Sequence, residues 1–298
     1  MHLVTFKSDH GARPGVIVGG DIIDLRAADS TLPADLRGIL AADALQRVRA
    51  LVSSAPASAR LPRQSVTLLA PIQNPGMVLS VGMNYHKHLA EMKTPAPPAP
   101  YAFTKSVASI IGTGAAIILP PSHPTMVDWE GELTVVIGKP CHRVNATNAL
   151  DYVAGYTLVN DVSARDWVAS VFSSAGIMGP INTWEHNLLG KMFPTFCPMG
   201  PVLATTDEIA DPANVRIVTR LNGSVMQDAN TDDFVFDIPT LIAHYSKFYQ
   251  MLPGDCITTG SPSGVGYGRN PKVFMKAGDV IEVEVDGIGT LSNPVVAA

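Results

Sequence analysis

Glycine and proline interrupt this chain so often that a bundle of long helices is excluded: 25 glycines and 24 prolines are spread over 298 residues. Such punctuation favours short strands joined by turns. With 46% hydrophobic and 16% charged residues, the chain has the material for a sizeable core and not the composition of a disordered protein. A net charge of −5 argues against nucleic acid as a partner, since that would require a basic surface. Cys141, Cys197 and Cys256 are few and far apart, which suggests neither a disulfide framework nor a zinc site. No apolar run reaches the ~18 residues that mark a membrane span. Met1 to His10 show no signal-peptide core, so a soluble cytoplasmic protein without a membrane partner is expected.

Residues 3–6, 15–18 and 21–25 read as strands, with Gly19-Gly20 as a hairpin turn. The spacing of Leu36, Ile39, Leu40, Leu45, Val48 and Leu51 predicts a helix over 36–52. The small, Pro-containing stretch 53–59 is expected to link a small N-terminal domain (1–70) to a larger catalytic domain (71–298). Strands dominate beyond Val66, and Asn222-Gly223 and Asp286-Gly287 are two-residue hairpin signals. One stronger helix is predicted over 238–252, capped by Asp237 and carrying Ile238, Leu241, Ile242, Tyr245, Phe248, Tyr249 and Leu252 at helical spacing.

The sharpest chemical signal is Asp128-Trp129-Glu130-Gly131-Glu132, which runs directly into an apolar stretch. Side chains alternate along a strand, so Glu130 and Glu132 project to the same face. Adjacent carboxylates repel unless protonation or a cation relieves them. A hard divalent ion suits them, Mg²⁺ first, then Mn²⁺ or Ca²⁺. The alternative is a solvated face of an edge strand. Asp161 closes another strand and offers a third carboxylate, or a helix N-cap, and a helical turn starting there would bring Arg165 to its side. His88 and Glu91 share a helix face, with Asn84 as a candidate cap. Such a pair can hold and deprotonate a water molecule, or it is an ordinary surface ion pair.

In this order, the segments Gly82-Met83-Asn84-Tyr85…His88…Glu91, Phe103-Thr104-Lys105, Asp128-Trp129-Glu130-Gly131-Glu132, Asn160-Asp161-Val162-Ser163-Ala164-Arg165, Gly190-Lys191 and Thr259-Gly260-Ser261-Pro262 resemble the fumarylacetoacetate hydrolase family. The resemblance runs from about Pro75 to Asn293. It implies a mainly β fold, a mixed β-sandwich roll with a small N-terminal α/β region, and a homodimer. It implies Glu130, Glu132 and Asp161 as metal ligands and His88–Glu91 as the water-activating dyad. Lys191 would steady an oxyanion, and Arg165 and Lys105 would hold substrate carboxylates. Tyr85 and Ser261 are expected at the substrate as well. Without the resemblance, the lysines read as solvated side chains and Arg165 as an ion-pair partner of Asp166 or another acid.

The activity implied is metal-dependent hydrolysis of a C–C bond in a small β-diketo acid. The alternative is isomerisation or decarboxylation of a 2-oxo acid such as oxaloacetate, and a non-catalytic binding protein for a chelating acid is the remaining reading. Two departures stand out. Val168 occupies a position where many members carry glutamine, which removes an amide donor. The segment 167–189 is longer than expected and aromatic-bearing, and it reads as a loop that shapes specificity.

Overall fold

The computed structural model describes residues 1–298, the side chain of Phe172 excepted. Strand outweighs helix, as the punctuation requires. A twelve-stranded sheet ends in the run Cys197–Thr205, Val153–Asn160, Gly131–Ile137, Cys256–Thr258, Val78–Gly82 and Tyr101–Thr104, in that spatial order, with the last at its edge. A second sheet of five strands orders Ser224–Asn230, Arg216–Leu221, Val280–Val285, Gly289–Ala297 and Ile117–Leu119. Every residue of Gly131–Ile137 is buried, so this strand lies within the protein and not at a wet edge. The close approach of the second sheet explains its first residue: a Cβ on Gly131 would lie 2.3 Å from Thr219 Oγ1. The hairpin predicted at Asn222-Gly223 forms with its two-residue turn, whereas that at Asp286-Gly287 closes between Val285 and Gly289 and takes Ile288 into a three-residue loop.

The first strands continue the large sheet, because His2–Ser8 pairs with Cys197–Thr205. The stretch expected as a linker instead holds the end of the helix Leu45–Ser54 and the 3-10 turn Ala57–Ala59. The helix expected over 36–52 is two, Leu36–Ala41 and Leu45–Ser54, broken where Asp43 takes φ +50°. The helix expected over 238–252 stops at Tyr245. Beyond it, paired hydrogen bonds between Met251 and Cys141 (2.8 and 2.9 Å) draw the chain into a β-bridge. Phe248, Tyr249 and Leu252 are therefore exposed despite their helical spacing. Among the described residues, no helix is long and apolar enough to cross a membrane.

Candidate active site

Two neighbouring strands converge on one cavity. Gly131–Ile137 begins just after Glu130, Val153–Asn160 ends just before Asp161, and the two pair from Gly131 opposite Asn160. Alternation along the first and the end of the second bring carboxylate oxygens of Glu130, Glu132 and Asp161 within 4.8 Å of one another. The expected shared face is therefore real, and the solvated-edge alternative is not, since Glu132 and Asp161 are buried.

Cations balance most of this charge. Lys191 Nζ donates to Glu130 and to Asp161, both at 2.7 Å. Lys105 Nζ donates to Asp161 and to the Lys191 carbonyl, and Ser80 Oγ donates to Asp161 at 2.9 Å. Arg165 donates to Glu130 at 2.6 Å and to Asp128 at 2.9 Å. Burial alone would raise the Asp161 pKa, but the ammonium groups of Lys105 and Lys191 outweigh it and hold the carboxyl far below its usual range. Glu132 shows the opposite balance. Burial, then the charges of Asp161 and Glu130, push its pKa well above normal. Its Oε2 accepts from Gly260 N–H at 3.1 Å, while Oε1 is buried with no partner among the described residues. An orphaned carboxylate oxygen beside two further carboxylates fits a divalent cation.

His88 and Glu91 lie on the short helix His86–Glu91, with Nδ1 3.1 Å from Glu91 Oε2. The Gly264 N–H also reaches Glu91, at 3.2 and 3.3 Å. Burial pulls the Glu91 pKa upward, yet these two partners hold it below the ordinary value. His88, Glu130, Asp161, Arg165, Lys191 and Ser261 all line the same cavity. Its apolar side comes from Met92, Tyr101, Phe103, Val168, Trp184 and Leu188.

Several expectations are corrected. Tyr85 is buried beneath the dyad helix, edge-on to Phe234 with ring centres 4.8 Å apart, and is not a cavity wall. Lys105 is likewise buried behind Asp161, so it holds a carboxylate of the protein in place of one from a substrate. Asn84 does not cap the helix; its side chain clamps Thr259 and Phe236 backbone groups at 2.9–3.1 Å. No helical turn starts at Asp161, because Ser163–Ala164 pairs with Val127–Asp128. Arg165 pairs with Asp128 and Glu130 rather than Asp166.

Sequence reasoning missed Asp128, Gln227 and Tyr101. Asp128 accepts from the Trp129, Gly266 and Tyr267 amides at 2.7–3.0 Å, which locks the Gly-rich loop to Arg165. Gln227 accepts from Gly131 N–H at 3.1 Å and donates to Ser261 Oγ at 2.9 Å and the Pro262 carbonyl at 2.8 Å. Tyr101 could have been found by alternation, since it lies two residues before Phe103 on one face of the strand Tyr101–Thr104.

Comparison with known proteins follows the same lines. The family model Fumarylacetoacetate (FAA) hydrolase C-terminal matches residues 77–296. Oxaloacetate tautomerase fahd2, mitochondrial, of Xenopus laevis is 43% identical over 302 residues, 99% of this chain and 90% of that protein. Fumarylacetoacetate hydrolase from psychrophilic Exiguobacterium antarcticum superposes with a TM-score of 0.82 at 35% identity, covering both chains fully. Maleylpyruvate hydrolase from Sphingobium sp. SYK-6, solved with manganese(II) and pyruvate, gives 0.80 at 28% identity, again over both whole chains. The chain belongs to the fumarylacetoacetate hydrolase family of enzymes.

Proposed function

We propose that this protein is an isomerase that interconverts the enol and keto forms of a small 2-oxo dicarboxylic acid of the oxaloacetate type. The observation that carries the reading is the His88–Glu91 pair, 3.1 Å apart, in the wall of the cavity that Glu130 and Asp161 also line. Tautomerisation needs one group that exchanges a proton with carbon beside others that steady an enolate. Glu91 engages Nδ1 and leaves Nε2 of His88 as the exchanging atom. In the ketonising direction the protonated imidazole delivers its Nε2 proton to the carbon next to the 2-oxo position, while the enol hydroxyl gives its own to solvent water, from which the imidazole is reprotonated. Lys191 and Arg165 place positive charge beside the substrate oxygens.

Glu130, Glu132 and Asp161 would hold a divalent cation, Mg²⁺ first and Mn²⁺ or Ca²⁺ next by donor type. When bound, such an ion supplies Lewis-acid polarisation of the 2-oxo group. The homodimer expected from the resemblance belongs to the same reading and is checked by sedimentation.

Two observations favour isomerisation over hydrolysis of a β-diketo acid. Val168 lines the cavity and brings no hydrogen-bond donor to a tetrahedral oxyanion. The tautomerase-named relative is 43% identical, against 35% and 28% for the two hydrolase-named structures. The test mixes enol-rich oxaloacetate with the Mg²⁺-supplemented protein and follows enol absorbance and pyruvate together, with an acylpyruvate in parallel. Enol loss well above the buffer rate, without matching pyruvate, is expected. Cleavage of the acylpyruvate with no acceleration of enol loss overturns the reading.

A further inference from the structure

Within the aromatic side of the cavity lies a hydroxyl whose proton nothing in the protein accepts. The Tyr101 hydroxyl is buried; the Trp184 indole N–H beside it can only donate, and no acceptor for the phenol proton lies among the described residues. Leaving such a group unpaired is costly, so its partner is to be sought in what the cavity binds. The ring is also held in place. It lies over Gly82, where a Cβ would be 3.0 Å from it, and its centre is 5.5 Å from that of Trp184. Burial first, and the Asp161 charge second, push the phenol pKa far upward, so it stays a protonated donor beside the carboxylate floor. Of the neighbouring walls, Met92, Phe103, Val168 and Leu188 offer no side-chain donor, while Trp184 and Asn187 offer one each from the covering helix.

We propose that Tyr101 is a substrate-contacting residue that sets specificity: its hydroxyl donates a hydrogen bond to the carboxylate of the substrate remote from the 2-oxo acid unit. This rests on the 2-oxo dicarboxylate reading above and deepens it. A substrate with one carboxylate engages the floor and leaves the hydroxyl orphaned. A substrate with two satisfies both. A pocket built around a donor discriminates against analogues that lack the acceptor.

The test compares wild type with Tyr101→Phe, both with Mg²⁺, by calorimetric titration of two probes. Difluorooxaloacetate keeps the remote carboxylate and cannot enolise; pyruvate lacks that carboxylate. The variant is expected to bind difluorooxaloacetate about 10–100-fold more weakly, as loss of a hydrogen bond to a charged group does. Pyruvate affinity should stay within about 2-fold and the melting temperature near wild type, since the hydroxyl proton has no acceptor in the protein to lose. Gly82→Ala, which pushes the ring from its seat, should reproduce the selective loss. Unchanged difluorooxaloacetate affinity in Tyr101→Phe overturns the proposal, as does equal weakening of both probes. Wild-type turnover of enol-oxaloacetate reports separately on the parent reading; a wild type that neither turns it over nor binds either probe sinks both.

Discussion

The carboxylate floor of the cavity rests on buried strands, whereas the helix Met178–Leu189 that contributes its roof buries no side chain of its own. Floor atoms are fixed by hydrogen bonds of 2.6–2.9 Å between Asp128, Glu130, Asp161, Ser80, Lys191 and Arg165. The roof presents Ile177, Met178 and Ile181 to solvent at 82%, 60% and 54% exposure and reaches inward through Trp184, Asn187 and Leu188. A charged constellation works only if it is preorganised, because its groups must not relax when charge develops. A wall that recognises the rest of a substrate tolerates variation, and loosely packed segments are where local opening is cheapest. On the proposed reading, chemistry belongs to the floor and the dyad, and selection among substrates to Tyr101 and the roof.

His88→Ala strikes this division hardest. If the imidazole is the proton-exchanging group, kcat for enol–keto exchange falls by ~10²–10⁴ while the melting temperature and Mg²⁺-dependent stabilisation stay near wild type. The side chain lines the cavity, so the space left by truncation is continuous with the pocket and opens no closed void. Stopped-flow enol absorbance and a melting curve in the same buffer make the check; a variant with near-normal kcat removes His88 from the chemistry and leaves the floor alone to account for it.

Lys105→Met measures how firmly the floor is tied down. Lys105 is fully buried and pairs with buried Asp161. Methionine keeps the length of the side chain and leaves the carboxylate with Lys191 and Ser80. Breaking one partner of a buried pair costs about 3–5 kcal/mol, and a loss of that size is expected in urea unfolding of the variant. A loss under about 1 kcal/mol would mean that the floor is no stiffer than the roof, since surface changes stay in that range.

What could be read from the sequence follows the same split. Glu130 and Glu132 were legible because strand alternation is a local rule and the apolar residues after them announce burial. His88 and Glu91 were legible because helical spacing is local too. Asn84, Gln227 and Asp128 were not, since their partners lie 96 to 175 residues away or on loops whose course only the fold decides. Tyr85 was misplaced for a related reason: being next to a motif says nothing about which side of a short helix faces the cavity. Periodicity overreached at 246–252, where Phe248 and Leu252 keep the helical pattern but the bridge to Cys141 wins.

Ile177→Gln with Ile181→Gln is the mildest probe of the comparison. Both side chains are mostly exposed on the outer face of the roof, so the double variant should change unfolding free energy by no more than about 0.5 kcal/mol per site. Neither residue lines the cavity, and kcat should hold. If the roof is instead covered in solution, by a second copy of the chain for instance, polar replacements would destabilise the assembly and sedimentation would show a lighter species. A clear loss of stability or mass would therefore move these helices out of the adaptable class and make the roof as fixed as the floor beneath it.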